Sequence, residues 1–303
     1  MRLASIDIGT NSIKLLVADV EGQQIVNILK EQPVITRLGQ GVDKTHRLLP
    51  EAVDRTLKVI QYFKQEAELL GAQKVIAVAT SAVRDARNRD VFIRKVVAET
   101  GLKPLVISGD EEAKLTFMGT CTDPELRSKK LILVDVGGGS SEFIVGQNGE
   151  IEDRFSVNTG CVRLTEEFIS SDPIAPAELQ QAVENAMSLL HSHLDRISMD
   201  KRSMVGVGGT ITSLAAIHQK METYDPDRIH RYVLQRDELN SILARLSRMK
   251  LEDRRKVPGL PPQRADVIVA GAAIFSAIMD MLNVQEITVS NRGIRYGVLL
   301  SRL

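Results

Sequence analysis

A chain of 303 residues, 43% apolar and 26% charged, is long enough for two domains with separate cores and too apolar for a disordered protein. Its 39 lysines and arginines balance 39 aspartates and glutamates, which excludes an overall field drawing it to nucleic acid or an acidic membrane; any polyanion must meet a local patch. Two cysteines, Cys121 and Cys161, exclude a disulfide framework and a thiolate zinc site. No apolar run reaches membrane-span length and the chain starts at once with a strand, so the expectation is a reducing cytoplasm, with neither membrane nor nucleic-acid partners.

Residues 3–8, 13–20 and 24–29 read as a meander of three strands, with Glu21-Gly22 marking a hairpin turn. Pro50 opens a helix whose apolar positions Val53, Leu57, Ile60, Ala67 and Leu70 keep helical spacing until Gly71. A strand over 74–80, a helix capped by Asn88 and running through Thr100, and a strand over 104–107 follow. Asp110-Glu111-Glu112 then starts a helix, where acids suit the positive end of the helix dipole. After a loop over 123–130, the order strand, strand, strand, helix, strand, helix begins again at 131. The second round carries helices over 160–169 and 176–197, a strand over 203–207, and a Gly208-Gly209-Thr210 turn feeding another helix. A buried helix over 265–282, a strand over 286–290 and a helix from Gly293 complete it. The expectation is an α/β protein of two domains, 1–122 and 123–291, with the last helix, 292–303, packing back on the first.

The stretch that points to chemistry is Val134-Asp135-Val136-Gly137-Gly138-Gly139-Ser140-Ser141-Glu142. A buried strand ends in a hard oxygen ligand of the kind Mg²⁺ uses, then opens into glycines whose N–H groups can approach an anion with no Cβ in the way. Such a turn is weak alone, but it occurs twice. Asp7, Gly9 and Ser12 precede Asp135, Gly137 and Ser140 by the same 128 positions, so each domain offers an acid and a phosphate loop. An acid at the end of a buried strand is costly unless paired or metal-linked, which favours function for Asp7 and Asp135. Gly208-Gly209-Thr210 is a third candidate anion loop, with plain strand-to-helix packing an equal alternative. Arg84, with Arg87 and Arg89, reads from the residues alone as a solvated turn paired with Asp85 and Asp90.

No Walker loop, dinucleotide fingerprint or serine elbow is present, and the five histidines are scattered. Carboxylates and glycine loops remain, the equipment of metal-assisted phosphoryl transfer. Asp7 to Ser12, Ser81 to Arg84, Ser108 to Ala113, Asp135 to Glu142, Gly160 to Val162, Gly206 to Thr210 and Ser290 to Gly297 together resemble the exopolyphosphatase and guanosine pentaphosphate phosphohydrolase family, in order over essentially the whole chain.

That resemblance implies two duplicated actin-like (ribonuclease H-like) domains with a substrate cleft between them. It implies removal of terminal phosphate from inorganic polyphosphate, guanosine pentaphosphate or both, with Mg²⁺ or Mn²⁺, by a homodimer. The duplication, with a phosphate loop in each domain, leads to the further expectation of domain closure about hinges near 119–128 and 290–293. Carried over residue by residue, Glu112 is the base for the attacking water and Glu142 a second acid near metal and water. Asp7, Asp135 and Glu142 are the metal set. Thr10, Asn11, Ser12, Arg84, Gly137, Gly138, Gly139, Ser140 and Ser141, with Gly208, Gly209 and Thr210, bind phosphate. Asn291 and Tyr296 stand where many members carry acids, and the 303 residues stop where longer members continue into helical C-terminal domains. The alternatives are a small-molecule kinase of the same superfamily and a nucleotide-gated sensing or assembly module.

Overall fold

A computed structural model describes residues 1–301. The chain divides into two units, one of Met1–Arg127 with the chain from Arg292 onward, the other Ser128–Asn291.

In the first unit, β1 (Arg2–Ile8), β2 (Ser12–Glu21) and β3 (Gln24–Ile35) form the antiparallel meander, and β4 (Lys74–Ala79) and β5 (Leu105–Val106) continue from β1 in parallel, giving the order β3-β2-β1-β4-β5. Central β1 is buried from Ala4 onward, as a strand covered on both faces must be. β3 runs six residues past its expected end, through Lys30-Glu31-Gln32-Pro33. It pairs only with β2, and such an edge strand tolerates polar side chains and a proline that cannot donate.

The helices of this unit are α1 (Val42–Thr45), α2 (Pro50–Leu69), α3 (Ser81–Asp85), α4 (Arg89–Thr100) and α5 (Gly109–Thr120). α2 buries Val53, Leu57, Ile60, Phe63 and Ala67 in a core shared with β1, β2 and β4, each large side chain contributing about 1.5–3 kcal/mol. Asn88 precedes α4 but does not cap it. Its amide instead accepts from Leu48 N–H at 2.8 Å and donates to Leu48 C=O at 3.0 Å, tying the loop before α2 to the start of α4.

The loop expected over 123–130 contains a short helix, α6 (Pro124–Ser128), whose first N–H groups are met by Asp123 Oδ1. The second unit then repeats the plan. β6 (Lys130–Val136), β7 (Ser141–Gln147) and β8 (Glu150–Val157) are antiparallel, and β9 (Ser203–Val207) and β11 (Glu286–Val289) continue in parallel. β10 (Val233–Gln235) adds an antiparallel edge, giving β10-β11-β9-β6-β7-β8.

Its helices are α7 (Cys161–Phe168), α8 (Pro176–Leu194), α9 (Gly208–His218), α10 (Pro226–Ile229), α11 (Arg236–Ser247), α12 (Leu251–Arg254) and α13 (Ile268–Met281). α13 is buried along nearly its whole length and begins later than the expected 265, because Pro262–Arg264 forms a separate 3₁₀ turn. Both sheets follow the actin-like, ribonuclease H-like order, so the 128-residue repeat is a repeat of fold.

The last helix, α14 (Ile294–Leu300), belongs to the first unit. Ile294 and Val298 pack with Ile76, Val78, Ile107 and Leu115, and Tyr296 and Leu299 with Leu16, Ala18 and Val20. α14 lies so close to α5 that a Cβ on Gly297 would stand 1.8 Å from the Leu115 carbonyl oxygen. Inside a helix, alanine is worth about 1 kcal/mol more than glycine, so the sign of Gly297→Ala is diagnostic. Overpacking by about 1–3 kcal/mol should win and lower the urea midpoint; a raised midpoint would mean that the helices are not in backbone contact.

Candidate active site

Both meanders turn in the same way. Gly9 N–H donates to Ser12 C=O at 3.1 Å, and Gly137 N–H to Ser140 C=O at 3.0 Å. Among the described residues, the N–H groups of Thr10 and Asn11 in one turn, and of Gly138 and Gly139 in the other, donate to no backbone carbonyl. Each turn is braced from behind. Thr36 and Arg37 N–H donate to Asn11 C=O and Gly39 N–H to Thr10 C=O, while Cys161, Val162 and Arg163 N–H donate to the Gly137 and Gly138 carbonyls. Neighbouring N–H groups facing one way make an anion nest. The Asn11 amide is buried with neither its oxygen nor its nitrogen partnered, the condition of a group that meets a ligand or water.

The acids before the two turns are compensated differently. Asp7 is 3% exposed and lies opposite Lys14 in the β1–β2 register, with Lys14 Nζ 3.3 Å from its Oδ2. At the equivalent place Asp135 lies opposite a second acid, Glu142. Glu142 is 1% exposed, and its Oε1 accepts from Ser140 Oγ at 2.7 Å and from Ser156 Oγ at 2.8 Å, Ser156 being its neighbour in the β7–β8 register. Beside Asp135 the chain enters α9 through Gly208 at φ 89°, where a Cβ would come 2.1 Å from Asp135 Oδ1. Glycine is required there both by the left-handed backbone and by the space in front of the carboxylate.

The third anion loop takes a more structural form. α9 starts at Gly208 itself, and Thr210, in its first turn, donates its hydroxyl proton to Val136 C=O at 2.9 Å. Ser141 similarly donates to Thr159 C=O at 2.6 Å. The hydroxyls of Ser140, Ser141 and Thr210 thus brace the second unit internally, leaving the Gly138 and Gly139 N–H groups as donors without a backbone acceptor among the described residues.

In the first unit α3 follows β4 directly and presents Arg84, whose Nη1 donates to Ile107 C=O and to Glu112 Oε2, each at 3.1 Å. Glu112 sits in the first turn of α5, capped by Ser108 Oγ, which accepts from Glu111 N–H at 3.1 Å. Successive helical residues point about 100° apart. Glu111 accordingly faces Lys114 at 3.8 Å, while Glu112, its side chain 14% exposed, faces Arg84. The expected pairs with Asp85 and Asp90 are both present, Arg84 Nε standing 3.7 Å from Asp85 and Arg89 Nε 4.0 Å from Asp90, but Arg84 is half-buried and pairs with Glu112 as well, so only the Arg89–Asp90 pair is a solvated one.

Two charged groups were not singled out from the sequence. Lys14 was open to discovery, since the 128-residue offset sets it against Glu142. Arg264 is a lone cation after Pro261-Pro262. It is 9% exposed, with its guanidinium against Gly209, where a Cβ would meet Nη2 at 2.3 Å. Burial pulls Arg264 below the ordinary arginine range, opposed by the charges of Cys161, Tyr224 and Asp135.

No group of three or more His, Cys, Asp or Glu side chains that could hold a metal occurs among the described residues. Mg²⁺ needs less, since it keeps several waters and is bound through one or two carboxylates and substrate phosphates. The hard oxygens of Asp135 are of the kind that fit such an ion. Asp7 already has a counter-ion in Lys14. Lys14→Met, which strands a buried carboxylate, should cost about 3 kcal/mol in chemical denaturation, and adding Asp7→Asn should restore more than half; an unchanged midpoint for the single variant would contradict the pairing.

The sequence pattern of the Ppx/GppA phosphatase family matches residues 16–303. The chain is 36% identical over 314 residues to exopolyphosphatase 2 of Mycobacterium tuberculosis, covering 99% of this chain and 98% of that protein. It is also 36% identical over 308 residues to a bifunctional 3-dehydroquinate synthase/phosphatase of Fusobacterium nucleatum, covering 98% of this chain and 46% of that longer protein. A solved structure of the Aquifex aeolicus PPX-GPPA enzyme is similar, with a TM-score of 0.82 at 32% identity over 100% of this chain and 99% of that one. The protein belongs to the Ppx/GppA phosphatase family.

Proposed function

We propose that this protein is a divalent-cation-dependent phosphohydrolase that releases orthophosphate from the end of inorganic polyphosphate by in-line attack of water. Guanosine pentaphosphate, which ends in the same phosphoanhydride, is proposed as a second substrate. The observation that carries the reading is the Glu112 carboxylate, set at the first turn of α5 and oriented by Arg84 at 3.1 Å. The resemblance to a protein named an exopolyphosphatase favours polyphosphate.

In this reading Glu112 accepts the proton of the attacking water, a role worth about 10²–10⁴-fold in rate. Arg84 fixes the carboxylate through one nitrogen and offers its other donors to phosphate oxygens. Each unit offers its own preorganised phosphate donors, the Thr10 and Asn11 N–H groups with the Asn11 amide and Ser12 in the first and the Gly138 and Gly139 N–H groups in the second. Lys14 neutralises Asp7 and so lets a polyanion approach that loop. Asp135, backed by Glu142, is the acid we assign to Mg²⁺ or Mn²⁺. When bound, the cation supplies charge neutralisation at phosphate oxygens.

Asp135→Asn should raise the Mg²⁺ needed for half-maximal activity at least about tenfold, or abolish turnover, with an unchanged circular dichroism spectrum. Full activity of the unaltered protein in excess chelator would contradict the cation's role.

The base assignment is tested by phosphate release from long polyphosphate, guanosine pentaphosphate and ATP at one Mg²⁺ concentration. Glu112→Gln should lose about 10²–10⁴-fold in kcat with KM little changed. Glu111→Gln should lose only a fraction of a kcal/mol of helix stability and no activity. A Glu112→Gln protein within a few-fold of the parent would overturn the assignment, and transfer that depends on an added acceptor would point to a kinase.

A further inference from the structure

Three consecutive carbonyls of the second-unit turn are tied to the start of α7. Gly137 C=O accepts from Cys161 N–H at 2.9 Å, and Gly138 C=O from Val162 N–H at 2.9 Å and Arg163 N–H at 3.1 Å. Gly139 C=O accepts from a side chain instead, Arg163 Nε, at 2.9 Å. α7 comes this near because it is preceded by Gly160, where a Cβ would stand 2.4 Å from the Gly138 oxygen. In the first unit the equivalent carbonyl, that of Asn11, is held by the N–H groups of Thr36 and Arg37. The duplicated turns thus restrain the same carbonyl by different means, and in the second a side chain does it. In a planar trans peptide the C=O and the N–H point in opposite directions, and the peptides from Gly137 to Ser140 are all trans. Holding the three carbonyls against α7 therefore turns the N–H groups of Gly138, Gly139 and Ser140 away from it. Among the described residues Ser140 N–H, like the other two, donates to no backbone carbonyl, and the Ser140 hydroxyl is already bonded to Glu142.

We infer that Arg163 is a positioning residue for this turn, its side chain holding the Gly139 carbonyl back so that Ser140 N–H completes a three-donor nest for one phosphate group of the substrate. The inference rests on the reading of the turn as a phosphate loop given above. Without the tether, rotation of the peptide between Gly139 and Ser140 is inexpensive, since Gly139 carries no Cβ. That rotation sets a carbonyl oxygen where the anion needs an N–H. Donors already in place stabilise developing charge because they do not have to turn during the reaction. Loss of the tether therefore weakens the interaction with phosphate while α7 keeps its main-chain bonds to Gly137 and Gly138.

The test compares the parent with Arg163→Met, which keeps an aliphatic stem and removes every donor, and with Arg163→Gln, whose amide nitrogen stands as many bonds from the backbone as arginine Nε does. Gly139-Ser140 is the one Gly-Ser step in the sequence, so ¹³C at glycine carbonyls and ¹⁵N in serine isolate the Ser140 amide in a carbonyl-edited NMR spectrum. Saturating inorganic phosphate should move that amide proton downfield in the parent and in Arg163→Gln, and leave it in place in Arg163→Met. The kcat of Arg163→Met on polyphosphate should fall about tenfold or more, toward the 10²–10³-fold worth of one oxyanion donor, with an unchanged circular dichroism spectrum. Arg163→Gln should keep most of the parental kcat. A Ser140 amide that ignores phosphate in the parent, or that shifts equally in the parent and Arg163→Met, would overturn the inference. So would parental kcat in Arg163→Met, or an Arg163→Gln protein that has lost the shift, which would assign the effect to charge rather than to the bond. If Arg163→Met does not fold, the parent and Arg163→Gln decide by the same criteria. A parent that shows the shift and releases no phosphate from polyphosphate would sink the hydrolase reading and leave the role of Arg163 to stand or fall on the amide signal.

Discussion

A carboxylate at the end of a buried strand must be compensated, and each sheet is arranged around that requirement at the point where its first hairpin turns. Removing an ion from water costs several kcal/mol unless a counter-charge or strong hydrogen bonds replace the lost hydration. The first unit meets the cost with Lys14, directly across the hairpin from Asp7. The second puts another acid, Glu142, at that position, holds it with Ser140 and Ser156, and packs Asp135 closely against Gly208. The duplicated fold has diverged by the sign of one side chain. One strand-end acid is thereby neutralised within the protein, and the other is suited to an added cation and to the nearby charge of Arg264.

Around these acids, hydroxyls hold the scaffold together while the N–H groups of Thr10, Asn11, Gly138 and Gly139 are left without a backbone acceptor among the described residues. Ser141 and Thr210 use their protons on carbonyls, and the turns that carry the N–H groups are braced by the 36–39 segment and by the start of α7. A nest whose donors are fixed by tertiary hydrogen bonds suits a spherical, multiply charged oxyanion, because every donor is in place before the anion arrives. α5 positions the Glu112 carboxylate in a similar way. Its start is set by the Ser108 cap, and the rotation of the helix separates Glu111, paired with Lys114, from Glu112, paired with Arg84.

Much of this was legible in the sequence wherever one local pattern sufficed. The repeat of Asp7 to Ser12 at Asp135 to Ser140 needed only counting, and α2 followed from its apolar spacing and its proline. The misses share a cause, which is that tertiary partners decided them. β3 continues through Lys30 to Pro33 because it lies at a sheet edge, and Asn88 gives up a capping role for a bond to Leu48 forty positions away in the chain. Helical spacing alone did not separate Glu111 from Glu112, a choice that rested on the resemblance; in the fold Lys114 pairs with the first and Arg84 with the second. Arg264 has no periodicity or motif around it, and its burial comes from packing on Gly209. β10 and α11 were not anticipated. The strand has only three residues and is completed by its pairing with β11.

The central claim, that water attacks the terminal phosphorus of polyphosphate, is tested most directly by one turnover in ¹⁸O-labelled water, with the label located by mass spectrometry. The account predicts one ¹⁸O in each orthophosphate released and none in the shortened chain. Label in the shortened chain, or transfer of unlabelled phosphate to an added acceptor in place of its release, would contradict it.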